Sequence, residues 1–183
     1  MKREEFFHLI GQFAVEFEQA CCEMEECAMD VLEKEGLRNR SIRKILLANQ
    51  TAEPLRILLQ ALLAEFFDQE RFQVVLKKTF QEMQDLTAAR NEIIHTKWCP
   101  PIDDPDWGGG KNHVVGQKLK SNKSGESSVY PKYTRADFEE KIEACLRLQK
   151  ILSSLRFLIE FPDRLDYYLM VSNGTLVLYP DAQ

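Results

Sequence analysis

The sequence predicts a mainly α fold: an up-down bundle of four to five helices, with a long loop or hairpin insertion before the last long helix and a small C-terminal β-hairpin. Three observations predict it. Apolar residues recur at three- and four-residue steps along most of the chain, the period that lines one face of an α-helix. That period disappears over 99–133, where Pro, Gly, Asp, Ser and Lys dominate. Near the end, Asn173-Gly174 stands between two apolar runs, a strong short-range hairpin signal. At 183 residues and 44% hydrophobic composition the chain can bury one sizeable core, so 1–183 reads as a single domain.

Phe6, Ile10, Phe13, Phe17, Cys21, Met24, Ala28 and Val31 line the first helix, and Gly36 supplies its stop. A short helix follows around Ile42 to Ala48. Thr51, with Pro54 three residues later, starts the next, whose buried face is Leu55, Leu58, Leu59, Leu62, Leu63, Phe66 and Phe67. After the polar break Asp68-Gln69-Glu70, the series from Phe72 through Phe80, Met83 and Leu86 to Ile93 and Ile94 carries a helix to about Trp98. Cys99-Pro100-Pro101 ends it, because proline lacks the backbone donor and biases its predecessor away from helix. Gly108-Gly109-Gly110 and Ser124-Gly125 break the insertion, within which His113-Val114-Val115 and Ser128-Val129-Tyr130 are predicted to pair. Thr134 with Asp137 opens the last long helix, lined by Phe138, Ile142, Cys145, Leu148, Leu152, Leu155 and Ile159 and closed at Phe161-Pro162. The terminal hairpin is placed at 165–180.

The N-terminal residues lack the apolar core of a signal peptide, and the longest apolar runs are only a few residues. A cytoplasmic chain with no membrane span is expected. Cys21, Cys22, Cys27, Cys99 and Cys145 form no CxxC pair and read as reduced, mostly buried thiols, and no Cys/His set has ligand spacing, so neither metal nor cofactor is expected. Net charge is −5, which disfavours nucleic acid over most of the surface. The distribution is uneven: residues 1–35 carry ten acids, whereas 108–135 carry Lys111, Lys118, Lys120, Lys123, Lys132 and Arg135 against Glu126 alone. A polyanion belongs near that second segment, where Trp107, Tyr130 and Tyr133 add rings for base stacking.

Chemistry concentrates at Arg90-Asn91-Glu92-Ile93-Ile94-His95. On a helix Asn91 and His95 lie about 40° apart on one face, roughly 6 Å apart along the axis, with Arg90 long enough to sweep onto it. A histidine that exchanges protons near neutral pH then lies beside a fixed cation whose fork of donors binds phosphate. This set suits RNA cleavage by its own 2′-hydroxyl, with base, acid and charge stabilisation at phosphorus. The residues Arg90-Asn91-x-x-x-His95, together with the order of long helices over 1–162, resemble the HEPN domains. The resemblance implies a metal-independent endoribonuclease of toxin–antitoxin or phage-defence type, acting as a homodimer and accompanied by an antitoxin or other protein partner. Catalytic roles then fall to Arg90, Asn91 and His95, and RNA contacts to Lys97, Lys111, Lys118, Lys120, Lys123, Tyr130 and Lys132. A C2 axis along this helix brings both copies of Arg90 and His95 to one cleft.

The same spacing recurs at Arg3 and His8, where Glu4 and Glu5 would repel phosphate. The bland alternatives are a surface pairing of Arg90 with Glu92 or Asp85, with His95 as a helix C-terminal cation. Glu92 reads as an orienting charge, and Thr87 as surface or a substrate contact. Two other classes compete: a non-catalytic helical module that binds nucleotide or a protein partner, and a purely structural bundle.

Overall fold

The structure, a computed structural model, describes residues 2–99, 113–122, 125–165, 169–172 and 175–178. Among these it has five α-helices: α1 (Arg3–Lys34), α2 (Arg40–Leu47), α3 (Ala52–Phe66), α4 (Glu70–Ile94) and α5 (Arg135–Glu160). Three strands, β1 (Lys97–Cys99), β2 (His113–Asn122) and β3 (Gly125–Val129), with the short β4 (Lys132–Thr134), form a small antiparallel sheet between α4 and α5. The last pair, β5 (Leu169–Ser172) and β6 (Thr175–Leu178), is an antiparallel hairpin beside α4. The fold is mainly α with a small β component, as the patterning predicts.

The helices form where their apolar stripes find one another. Phe6, Phe13, Phe17 and Met24 of α1, Leu59 and Leu63 of α3, Phe80 and Met83 of α4, and Phe138, Leu148 and Leu155 of α5 are all buried in one contiguous core. Polar contacts give the direction of the central pair. Arg135 meets Glu5 at 2.8 Å, Gln149 donates to the Glu16 carbonyl at 2.9 Å, Arg156 meets Asp30 at 2.7 Å and Lys34 meets Glu160 at 2.6 Å. Start thus pairs with start and end with end, so α1 and α5 run parallel. The Arg147–Glu82 pair and the Tyr133–Glu92 bond make α4 antiparallel to α5.

The helix stops are local. Gly36 adopts φ +96°, a conformation costly for residues with a Cβ, and ends α1 where the sequence places the stop. Helix α2 is held on α1 by the buried Arg43, whose guanidinium reaches the Met29 carbonyl at 2.8 Å and the Glu33 carboxylate. At the head of α5 the backbone N–H and the hydroxyl of Thr134 donate to Asp137 at 2.6 and 2.8 Å, and Thr134 Oγ1 accepts from the Asp137 N–H. These bonds hold the Asp137 carboxyl below its ordinary value. Because the folded form has the lower pKa, this bonding contributes its full stability above the unfolded carboxylate value and loses it as pH falls past that value and through the lower folded one. Thr134→Ala is therefore expected to cost about 1 kcal/mol at neutral pH, with a smaller penalty in acid, as read by urea unfolding at both pH values.

The sheet departs from the sequence reading in two ways. Helix α4 ends at Ile94 instead of running on to Trp98, and Lys97–Cys99 is a strand paired to Gln117, Gly116 and Val115. In the insertion, His113–Val115 pair with Lys132–Thr134 and not with Ser128–Tyr130; Lys118 and Leu119 face Val129 and Ser128 instead. Strands β3 and β4 keep one register against β2, so they form one edge interrupted at Pro131, a residue that edges tolerate because it lacks a ladder donor. A Cβ at Gly116 would lie 2.0 Å from Thr96 Cγ2, so only glycine lets β2 pass this closely over Thr96 and Trp98. Trp107, Gly108, Gly109, Gly110, Lys111, Lys123 and Ser124 lie outside the described residues, as do Asn173 and Gly174 of the terminal turn.

Candidate active site

The C-terminal end of α4 is fixed by the sheet. The last turn of a helix leaves carbonyls without intrahelical donors. Here Lys118 Nζ donates to the Asn91 carbonyl at 3.2 Å, Thr96 Oγ1 to that of Glu92 at 2.6 Å and Trp98 Nε1 to that of Ile93 at 2.7 Å. These donors let the helix stop, and His95 becomes its C-cap, with φ −96° and ψ 9°. Trp98 in turn packs edge-on to Phe6 at 5.6 Å and Tyr133 at 5.7 Å, anchoring the sheet to the starts of α1 and α5.

Arg90 and Asn91 line an open cleft of about 440 Å³, walled by Phe17, Glu18 and Cys21 of α1, by Gln50 to Glu53 entering α3, and by Thr87. Asn91 is exposed. Arg90 is half-buried: its guanidinium lies 3.4 Å from Glu18 Oε1 and 3.5 Å from Asn91 Oδ1, with its carbon 6.0 Å from the Phe17 ring centre. The predicted surface partners of Arg90, Glu92 and Asp85, are replaced by Glu18, which lies across the cleft on α1 and 72 positions earlier. Both contacts are long for charge-assisted hydrogen bonds, so the fork can exchange partners. His95 is exposed at the end of the same helix but does not line the cleft.

The remaining predicted contacts sort by position. Lys97 and Lys132 are exposed, Tyr130 is exposed, and Lys118 is half-buried on the bundle-facing side of β2, which also carries Val114 and Gly116. Lys120 is described only as part of β2, and Lys111 and Lys123 fall outside the described residues. Tyr133 is not a stacking platform: it is half-buried among Trp98 and Phe138 and donates to Glu92 Oε1 at 2.8 Å. Burial, and then that bond, push its hydroxyl well above the ordinary tyrosine range, so it remains a donor and Glu92 an orienting acceptor. Thr87 is buried with its hydroxyl on the Met83 carbonyl at 2.8 Å. Arg3 and His8, the second copy of the spacing, are exposed on the first turns of α1 and do not line the cleft.

The cysteines also depart in part from expectation. Cys27 and Cys145 are buried and Cys21 half-buried, but Cys22 and Cys99 are exposed. Burial, and then Glu18, push the Cys21 thiol up to about 12, so it lines the cleft as a protonated apolar wall and not as a nucleophile. A thiol reagent at neutral pH is expected to modify Cys99 first, with Cys27 and Cys145 reacting only on unfolding, as peptide mapping of timed samples will show. Among the described residues no His, Cys, Asp and Glu cluster could hold a metal ion, and no helix is long and apolar enough to cross a membrane.

Comparison with protein-family models, with curated proteins and with solved structures finds no match.

Proposed function

We propose that this protein is a HEPN-type, metal-independent endoribonuclease that cleaves RNA by 2′-hydroxyl transesterification at a site completed across a homodimer. The observation that carries the reading is that Arg90 and Asn91 open onto a cleft at the very helix end where His95 is exposed and Lys118 is drawn in from β2. In this reading one His95 takes the proton of the 2′-hydroxyl as its oxygen attacks phosphorus. The bond from phosphorus to the 5′-oxygen breaks, and a second His95 gives that oxygen its proton. Arg90 stabilises the charge on the non-bridging oxygens, and Asn91 holds the guanidinium in place. The products are a 2′,3′-cyclic phosphate and a 5′-hydroxyl.

One chain supplies one His95, and in this reading a second copy packed on the exposed stripe of α4 brings the other. Gln84, Ala88, Asn91 and His95 are exposed at three- and four-residue steps, with the exposed Ile94 alongside. A small residue at the middle of such a stripe lets two copies of α4 cross closely about a two-fold axis. Light scattering at concentrations used for activity is expected to give twice the chain mass. The activity itself is tested by incubating labelled RNA with protein and excess chelator and analysing the ends. Cyclic phosphate and 5′-hydroxyl ends are expected, and no cleavage of single-stranded or structured RNA would refute the enzyme.

The Glu18 contact favours one second reading, a module that binds nucleotide in the cleft without turnover. Saturable binding with no product would select it. Toxin or defence roles, and an antitoxin partner, belong to the resemblance and follow only if cleavage is found.

A further inference from the structure

We infer that the cleft beside Arg90 is a guanine subsite: it takes the base of the nucleotide whose 2′-hydroxyl attacks, and Glu18 reads that base. This rests on the ribonuclease reading above and adds a specificity residue to it. A volume of about 440 Å³ lies in the range of sites for small molecules. Its walls combine the apolar Phe17 and Cys21 with the polar Glu18, Gln50, Arg90 and Asn91.

The two carboxylates of the cleft differ in how firmly they are held. Glu53, the other carboxylate at the cleft, has both oxygens engaged by Arg56 at 2.8 and 2.7 Å. Glu18 instead meets the guanidinium that the proposed chemistry needs, at 3.4 Å. When Arg90 turns to the scissile phosphate, Glu18 gives up that contact while standing at the rim of the cleft. A carboxylate is an acceptor only, with two oxygens side by side, and it is best satisfied by two parallel donors. Guanine presents such a pair on its Watson–Crick edge, the N1–H and the exocyclic amine. Adenine and cytosine place a ring acceptor beside their amine, and uracil flanks its one donor with carbonyls. Unstacked bases in single-stranded RNA are read on this edge. The nucleotide thus replaces one long ion pair by two engaged ones, Arg90 on phosphate and Glu18 on guanine.

The test uses dinucleotides that lack the attacking hydroxyl. Binding of 2′-deoxy dinucleotides carrying guanine, adenine, cytosine or thymine on the 5′ side, and adenine on the 3′ side, is measured by competition against a fluorescent strand. The guanine form is expected to bind about tenfold or more tightly than the others, with hypoxanthine, which lacks the exocyclic amine, between them. Glu18→Gln places a donor where an acceptor is needed and is expected to level the series, and Glu18 is exposed enough for the fold to survive, as circular dichroism checks. Equal binding of all bases by the wild type, or a guanine preference that survives Glu18→Gln, would overturn the inference. Cleavage assays on the same preparations separate the two claims. RNA cut without guanine preference sinks the subsite alone, whereas Glu18-dependent guanine binding with no cleavage keeps the subsite and sinks the ribonuclease.

Discussion

Arg90→Ala and His95→Ala are each expected to lower single-turnover RNA cleavage by about 100-fold or more, while Arg3→Ala and His8→Ala leave it unchanged. Removing a proton-transferring histidine costs about 10²–10⁴ in rate, and removing one preorganised stabiliser of transition-state charge costs about 10²–10³. Arg90→Lys should recover only part of the loss, because an ammonium keeps the charge but not the fork that holds phosphate and Asn91 together. The comparison is clean on stability grounds. His95 is exposed, and the half-buried Arg90 makes only long contacts, to Glu18, Asn91 and the Phe17 ring, so either substitution should move unfolding by about 1 kcal/mol or less. The control pair has the same Arg-to-His spacing on the first turns of α1, away from the cleft, so equal losses in both pairs would remove the argument for Arg90.

The largest stability effect is expected from Phe138→Ala, at about 3–5 kcal/mol in urea unfolding. Phe138 is fully buried and its ring lies 6.0 Å from that of Phe6, 6.4 Å from Trp98 and 5.2 Å from Tyr133. It therefore joins the starts of α1 and α5 to β1 and β4. Deleting it opens a cavity where four elements meet, and the surrounding rings cannot all collapse into it. The damage should reach the site as well, since Tyr133 holds Glu92 and Trp98 caps the Ile93 carbonyl. A loss of cleavage larger than the unfolded fraction accounts for is the expected signature of that coupling.

The helices were legible because burial follows the 3.6-residue period: Phe6, Phe13, Phe17, Leu59, Met83 and Phe138 are core residues at the positions their spacing implies. Thr134 and Asp137 were legible for a different reason, as a capping pair is local chemistry. The end of α4 was not legible. Nothing in Ile94-His95-Thr96-Lys97-Trp98 forbids helix, and the stop is imposed from afar by Lys118 and by the pairing of Lys97–Cys99 with β2. The register of the insertion is not legible for a related reason: β2 runs for ten residues, over three times the β-prone run His113–Val115, and takes β4 and then β3 along one edge and β1 along the other. Of the site, the pattern names Arg90, Asn91 and His95, all at one helix end. It cannot name Glu18, which sits one position beyond the core residue Phe17 and meets Arg90 only through packing of α1 on α4. Arg43 was equally hidden, since a buried arginine looks like any surface arginine until its carbonyl and carboxylate partners are seen.

The central claim is that RNA docks at the end of α4, and its most direct measurement is nuclear magnetic resonance of the Arg90 Nε–H and the His95 ring during titration with an uncleavable strand bearing one 2′-deoxy nucleotide. The account predicts that both signals shift together and saturate together, and that Glu18→Gln alters the Arg90 signal before any RNA is added. Saturable binding that shifts only signals of β2 and β3, leaving Arg90 and His95 unmoved, would contradict it.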